Sequence, residues 1–189
     1  MPLCAKRQKS TPGRSSAKLK DQPEYIVKPL GDDDRAAFHC GNEDLDRYFH
    51  ERASRDMRSK LAAVFILTST DDPKTIIGFF TLSSQQVHCE KLPEEIQKKT
   101  GRYKVVGTTL LGRMAVAKEF QGQNHGRRLL VAALREALQA TRHVMSFAVV
   151  VDAKSEDVIP FYEKYGFRRL EGNRLIIMMK TIEQTFKPS

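Results

Sequence analysis

The sequence predicts a mixed α/β protein: a mostly antiparallel sheet with one parallel strand pair at its centre, flanked by helices. Three observations predict it. Residues 103–151 read as strand, helix, strand, which makes a right-handed parallel crossover when both strands share a sheet. On either side lie strand pairs joined by turn residues, at Asp71-Asp72-Pro73-Lys74 and at Gly172-Asn173, and these imply antiparallel neighbours. The 189 residues, 40 % hydrophobic and 29 % charged, suit one globular domain with or without a tail.

The elements follow in order. Residues 1–22 are polar, basic and rich in Ser, Gly and Pro, without periodicity, and read as a disordered basic tail. The domain is expected over residues 23–183, with a C-terminal tail at 184–189. Tyr25-Ile26-Val27 opens it as a short strand. Asn42 is placed to cap a helix whose first turn holds Glu43, Asp44 and Asp46, matching the helix dipole. Leu45, Tyr48 and Phe49 then share one face. Residues 61–68 form a continuous branched apolar run, expected as a buried strand, and residues 75–83 pair with it. Pro93 opens a short helix over 92–99. Residues 103–117 hold a long strand. Leu129, Leu130, Ala133, Leu134, Ala137 and Leu138 give 126–140 the helical period. Residues 144–151 are another apolar strand. Ser155 is expected to cap a helix that Gly166 closes, and residues 167–171 and 174–181 form a last hairpin.

Charge and cysteine content narrow the classes. Net charge is +9, and residues 1–30 hold seven basic and two acidic residues. A basic surface attracts polyanions such as RNA and acidic cofactors. No apolar run approaches the roughly 20 residues of a membrane helix, and the N-terminus lacks an apolar signal core. A cytoplasmic location is therefore expected, with no membrane partner. Cys4, Cys40 and Cys89 are widely spaced, with no CxxC pair, so neither a disulfide framework nor a metal site is expected.

The most informative stretch is Gln121-Gly122-Gln123-Asn124-His125-Gly126-Arg127. It joins an apolar strand to an amphipathic helix. Such a turn aims backbone N–H groups at one point, glycine lets a ligand approach, and Arg127 and Arg128 add positive charge. A phosphate or pyrophosphate fits. Neither the GxxxxGK[ST] nor the GxGxxG pattern is present.

This run, with Met114-Ala115-Val116 before it, resembles the acetyl-CoA signature of the GNAT superfamily of N-acetyltransferases. Gln121 and Gly126 match the ends of that signature, and Asn124 stands where its middle glycine is usual. Asparagine tolerates the left-handed backbone conformation better than most residues. The resemblance implies acetyl-CoA as co-substrate, held by Gln121, Gly122, Gln123, Asn124, His125, Gly126 and Arg127. It also implies a GNAT-like sheet whose central parallel pair is splayed, with Met114, Ala115 and Val116 beside the pantetheine arm.

Four segments narrow it. Phe38-His39-Cys40-Gly41-Asn42-Glu43-Asp44-Leu45, Leu111-Gly112-Arg113-Met114-Ala115-Val116, Val151-Asp152-Ala153-Lys154 and Phe161-Tyr162-Glu163-Lys164-Tyr165-Gly166-Phe167 resemble the acetyltransferase toxins of bacterial type II toxin–antitoxin systems. That resemblance implies acetylation of the α-amine of aminoacyl-tRNA, which blocks translation. It implies charged tRNA as substrate, an adjacently encoded, DNA-binding antitoxin as partner, and a homodimer as one possible state. It places the catalytic tyrosine at Tyr162, as donor of the proton that the departing thiolate needs. Arg113 and Asp152 are candidate substrate contacts, with a salt bridge and a turn cap as the competing roles. Arg52, Arg55, Arg58 and Lys60 read as a solvated face or a phosphate track. Two other functions are carried beside it: an acetyltransferase of a small or protein amine, and a non-catalytic acetyl-CoA-binding module. The sequence does not specify the amino acid or tRNA.

Overall fold

The structure is a computed structural model that describes residues 24–187; the basic tail expected over residues 1–22 lies outside them. Seven strands form one sheet: β1 (Tyr25–Pro29), β2 (Ala63–Ser69), β3 (Gly78–His88), β4 (Val105–Val116), β5 (Ala148–Asp152), β6 (Arg168–Arg169) and β7 (Arg174–Met178). Their order is β1-β2-β3-β4-β5-β7-β6. Only β4 and β5 are parallel.

Alternation along the strands sorts side chains onto two faces. On one face, α1 (Glu43–Glu51) and α2 (Ala53–Arg58) pack Tyr48, Phe49 and Ala53 against Val64, Ile66, Phe79 and Ala115. On the same face α3 (Glu94–Thr100) covers Val87, Ala148, Val150 and Ile176. The opposite face carries α4 (His125–Ala140), α5 (Ile159–Glu163) and α6 (Met179–Phe186), packed on Phe80, Leu111, Val149, Val151 and Ile177. Two separate clusters therefore sit on the α1–α3 face, and one continuous core sits under α4. None of the described helices is long and apolar enough to cross a membrane.

Asn42 caps α1 as expected: its Oδ1 accepts from the Leu45 N–H at 3.2 Å. Three elements differ from expectation. The strand expected over 144–151 begins only at Ala148, with Val144 and Met145 exposed ahead of it. The strand expected over 174–181 ends at Met178, and α6 follows to Phe186. Met179 and Ile182 are buried there, and Phe186 packs beside them, because their spacing lays one helical face on the core under α4. Ser155 makes no cap bond; residues 156–158 form a 3₁₀ turn before the short α5, and the Pro160 ring suits the helix's first turn.

Candidate active site

The site begins where the parallel pair separates. β4 and β5 pair at Thr109–Val149, Leu110–Val150 and Leu111–Val151, and not beyond. Residues 113–116 of β4 keep their partners on β3 alone. The separation coincides with a β-bulge. Thr81 pairs with Arg113 and Leu82 with Leu111, so Gly112 is the extra residue. Its effect is visible in the side chains. Leu111 and Met114, three residues apart, both join the core under α4. Arg113 is thereby turned to the α1 face, where its guanidinium lies 3.8 Å from the Tyr48 ring centre. Thr81, buried on β3, holds the bulge: its Oγ1 accepts from the Arg113 N–H at 3.0 Å.

The direction of the free backbone groups follows. The Ala117 N–H donates to Ile77 and the Arg113 N–H to Thr81, so both point toward β3. Alternate residues point the other way. The N–H and C=O groups of Met114 and the N–H of Val116 therefore face the gap left by β5, while the Val116 carbonyl on that side accepts from the Gln121 amide. Ala115 contributes packing, its side chain buried beneath α1.

β4 runs into the loop before α4. Gly122 has φ 77° with open space where a Cβ would stand, and Asn124 has φ 64°. Asn124 thus adopts the left-handed conformation that glycine usually supplies. The first backbone bond of α4 runs from the Arg128 N–H to the Asn124 carbonyl at 3.2 Å. The N–H groups of residues 124–127 lie ahead of that ladder, as at any helix start. The Gln121 amide donates to the carbonyls of Cys40 at 2.9 Å and Val116 at 3.0 Å. Its side chain therefore braces the loop against β4. The Gln123 amide donates to the Glu119 carbonyl at 3.0 Å. His125 is buried, edge-on to Tyr25 and Phe120, and its Nδ1 has no partner. Burial, with the Arg128 charge second, holds its pKa below the ordinary histidine value. Arg127 is exposed, whereas the Arg128 guanidinium covers the Tyr25 ring at 4.2 Å.

From the other arm of the gap come Asp152, Lys154 and α5. Arg174 grips Asp152 across the β5–β7 register, Nε to Oδ1 at 2.6 Å and Nη2 to Oδ2 at 2.9 Å. Tyr162 on α5 is buried edge-on between Phe161 and Phe167, and burial alone pushes its pKa up to about 12. The phenol is thus a proton carrier throughout the neutral range, never a base in waiting.

These features fit acetyl-CoA. An unpaired strand edge accepts an extended amide chain as an added strand, and a left-handed loop ahead of a helix presents N–H groups to a pyrophosphate. Among the described residues no cluster of three His, Cys, Asp or Glu side chains forms a metal-binding set. The comparison with protein families is decisive: residues 63–169 match the acetyltransferase (GNAT) domain. This chain belongs to the GNAT acetyltransferase family.

As a GNAT protein it is an acetyl-CoA-dependent N-acetyltransferase. Two curated relatives of this GNAT chain are "Probable toxin TacT" of Sinorhizobium fredii, 25 % identical over 83 % of this chain and 92 % of the relative, and a "tRNA-acetylating toxin" of Mycobacterium tuberculosis, 27 % identical over 78 % and 86 %. Among solved structures, a tyrosine-to-phenylalanine mutant of KacT is 29 % identical, with TM-score 0.80 over 87 % of this chain and 100 % of that one. AtaT complexed with acetyl-methionyl-tRNAfMet is 28 % identical, with TM-score 0.79 over the same shares. Thr81, Tyr48 and Lys154 carried no predicted role. Thr81 and Tyr48 act through contacts between distant segments, and only the V-D-A-K segment drew attention to Lys154.

Proposed function

We propose that this chain is a toxin that transfers the acetyl group of acetyl-CoA to the α-amine of an aminoacyl-tRNA and so blocks translation in the cytoplasm. One observation carries the transfer chemistry: the free β4 edge past Leu111 runs directly into the left-handed loop of α4. Met114 and Val116 would align the pantetheine arm, and Gly122 to Arg127 the pyrophosphate. The relatives named above carry the choice of charged tRNA. Exposed Arg52, Arg55, Arg58 and Lys60, none in an ion pair among the described residues, supply a surface for a polyanion. The basic segment 1–22 adds to that attraction. Asn124 occupies the left-handed conformation of the glycine it replaces, as a turn that presents N–H groups to a pyrophosphate requires.

Tyr162 is assigned to the leaving sulfur. In the reaction the amine nitrogen bonds the thioester carbon, the C–S bond breaks, nitrogen loses a proton and sulfur gains one. An α-amine has a pKa of about 8 and is partly neutral at pH 7, so little basicity is required of the protein. With its pKa near 12, Tyr162 is a weaker acid than a thiol of about 8.5. Full donation ahead of nitrogen deprotonation is therefore uphill. Tyr162 hydrogen-bonds the developing thiolate and passes on a proton received from the nitrogen in the same step. Arg113, fixed over Tyr48, is a candidate contact for the acceptor. Asp152 acts through Arg174 and keeps the β5 arm in register.

An antitoxin is expected to silence the chain. A tyrosine-to-phenylalanine mutant of AtaT is solved bound to the C-terminus of the antitoxin AtaR, and KacTA in complex with DNA. The test is transfer of labelled acetyl from acetyl-CoA to total charged tRNA, with deacylated tRNA and Tyr162→Phe as controls. Label on charged tRNA only, with the rate lowered about 10²- to 10⁴-fold in Tyr162→Phe, is expected. Label on no tRNA overturns the substrate.

A further inference from the structure

Beyond Val151 the β5 arm loses its main-chain link to β4. One polar link spans the opening among the described residues. The Lys154 ammonium, three residues past Val151, reaches the start of α1, at 2.7 Å from Asn42 Oδ1 and 3.4 Å from Asp44 Oδ2. α1 packs over the end of β4 on the face opposite α4. With α4 and its loop occupying one face, an acceptor amine has access to the gap from the face that this bridge crosses.

The bridge is built to exchange. Lys154 is 55 % exposed and Asp44 70 %, so water competes for both. Such pairs contribute little to stability. Asp44 keeps a second cation, Arg47 Nη2 at 2.8 Å, when Lys154 leaves. Asn42 keeps its capping bond to Leu45. Neither acceptor is stranded by the departure of the ammonium. Lys154, by contrast, has no other partner among the described residues.

We propose that Lys154 is a clasp at the acceptor entrance, exchanging Asp44 for a phosphodiester of the incoming acceptor end. This rests on charged tRNA being the substrate. Lys154 is a positioning residue: it holds the acceptor end and touches no reacting atom. Asp44 is its competitor, an internal carboxylate that occupies the ammonium until phosphate displaces it.

Competition gives the two residues opposite kinetic signs. With full-length protein, saturating acetyl-CoA and varied charged tRNA, Lys154→Met is expected to raise KM roughly 5-fold, leave kcat unchanged, and make the salt dependence shallower by about one phosphate contact. Asp44→Asn is expected to lower KM, and to lose that effect in the Lys154→Met background. Glu43→Gln removes the same charge one residue away without touching Lys154, so its general electrostatic effect persists in that background. If Lys154 only braces the fold, Lys154→Met and Asp44→Asn shift KM in the same direction with an unchanged salt slope, and the proposal is overturned. A wild-type chain that labels charged tRNA, beside a Lys154→Met variant indistinguishable from it, overturns the clasp alone. A wild-type chain that labels no tRNA overturns the substrate and the clasp together.

Discussion

Thr81→Val tests how the cofactor edge is built. The substitution keeps the shape of a side chain that is 2 % exposed and removes one atom, the Oγ1 that accepts from the Arg113 N–H at 3.0 Å. That N–H belongs to the bulge residue next to Gly112, and no strand partner replaces the hydroxyl. Leaving a part-buried donor unsatisfied costs about 1–3 kcal/mol. At a mid-range cost of about 2 kcal/mol, a chain of this size should melt roughly 4–8 °C lower. The functional effect follows from the same bond. The bulge sets which groups of Met114 and Val116 face the gap, so the KM for acetyl-CoA should rise several-fold. Thr81→Ser keeps the oxygen and should retain the wild-type KM, though it loses a methyl. The assay is thermal melting beside acetyl-CoA titration of the transfer rate. If Thr81→Val melts with the wild type and binds acetyl-CoA equally well, the hydroxyl does not hold the bulge and this account of the edge is wrong.

Three further outcomes are expected. Asn124 sits at φ 64°, so Asn124→Ala should lose about 1 kcal/mol by the cost of a left-handed residue and raise the acetyl-CoA KM, while Asn124→Gly should match or exceed the wild type in both; the reverse ranking by melting and titration would refute the role of the turn. A Cβ at Gly78 would stand 2.7 Å from both the Ala115 carbonyl oxygen and Leu129 Cδ1. Because the first of these is backbone, Gly78→Ala should destabilise by the 1–3 kcal/mol typical of overpacking, measured by urea denaturation, with an unchanged midpoint arguing against close contact of β3, β4 and α4. The depressed pKa of His125 means that the unfolded chain binds its proton more readily. Its contribution to stability is therefore complete above the ordinary histidine pKa of about 6.5 and lost as pH falls below it; the urea midpoint should fall over that range more steeply in the wild type than in His125→Asn.

Local chemistry settled much of this protein in its sequence. Asn42 caps α1 because a short oxygen-bearing side chain ahead of a helix satisfies a free N–H wherever the helix lies. The left-handed conformation of Asn124 was legible through the resemblance, because Asn124 stands where the GNAT signature has a glycine and asparagine tolerates that conformation. The parallel β4–β5 pair follows from a strand, helix and strand in succession. α6 was missed, read as the end of a strand over 174–181 and a tail over 184–189, because short apolar runs satisfy either period. Tertiary structure alone decided the rest. A bulge is a mismatch of counts between two strands, so the turn of Arg113 onto Tyr48 exists only once β3 and β4 are in register. Gln121 becomes a brace because Cys40, 81 residues earlier, is folded against it. Lys154 meets Asn42 across 112 residues of chain. Contacts of that separation leave no periodic trace in sequence, since what fixes them is the packing of whole elements rather than the preference of any residue.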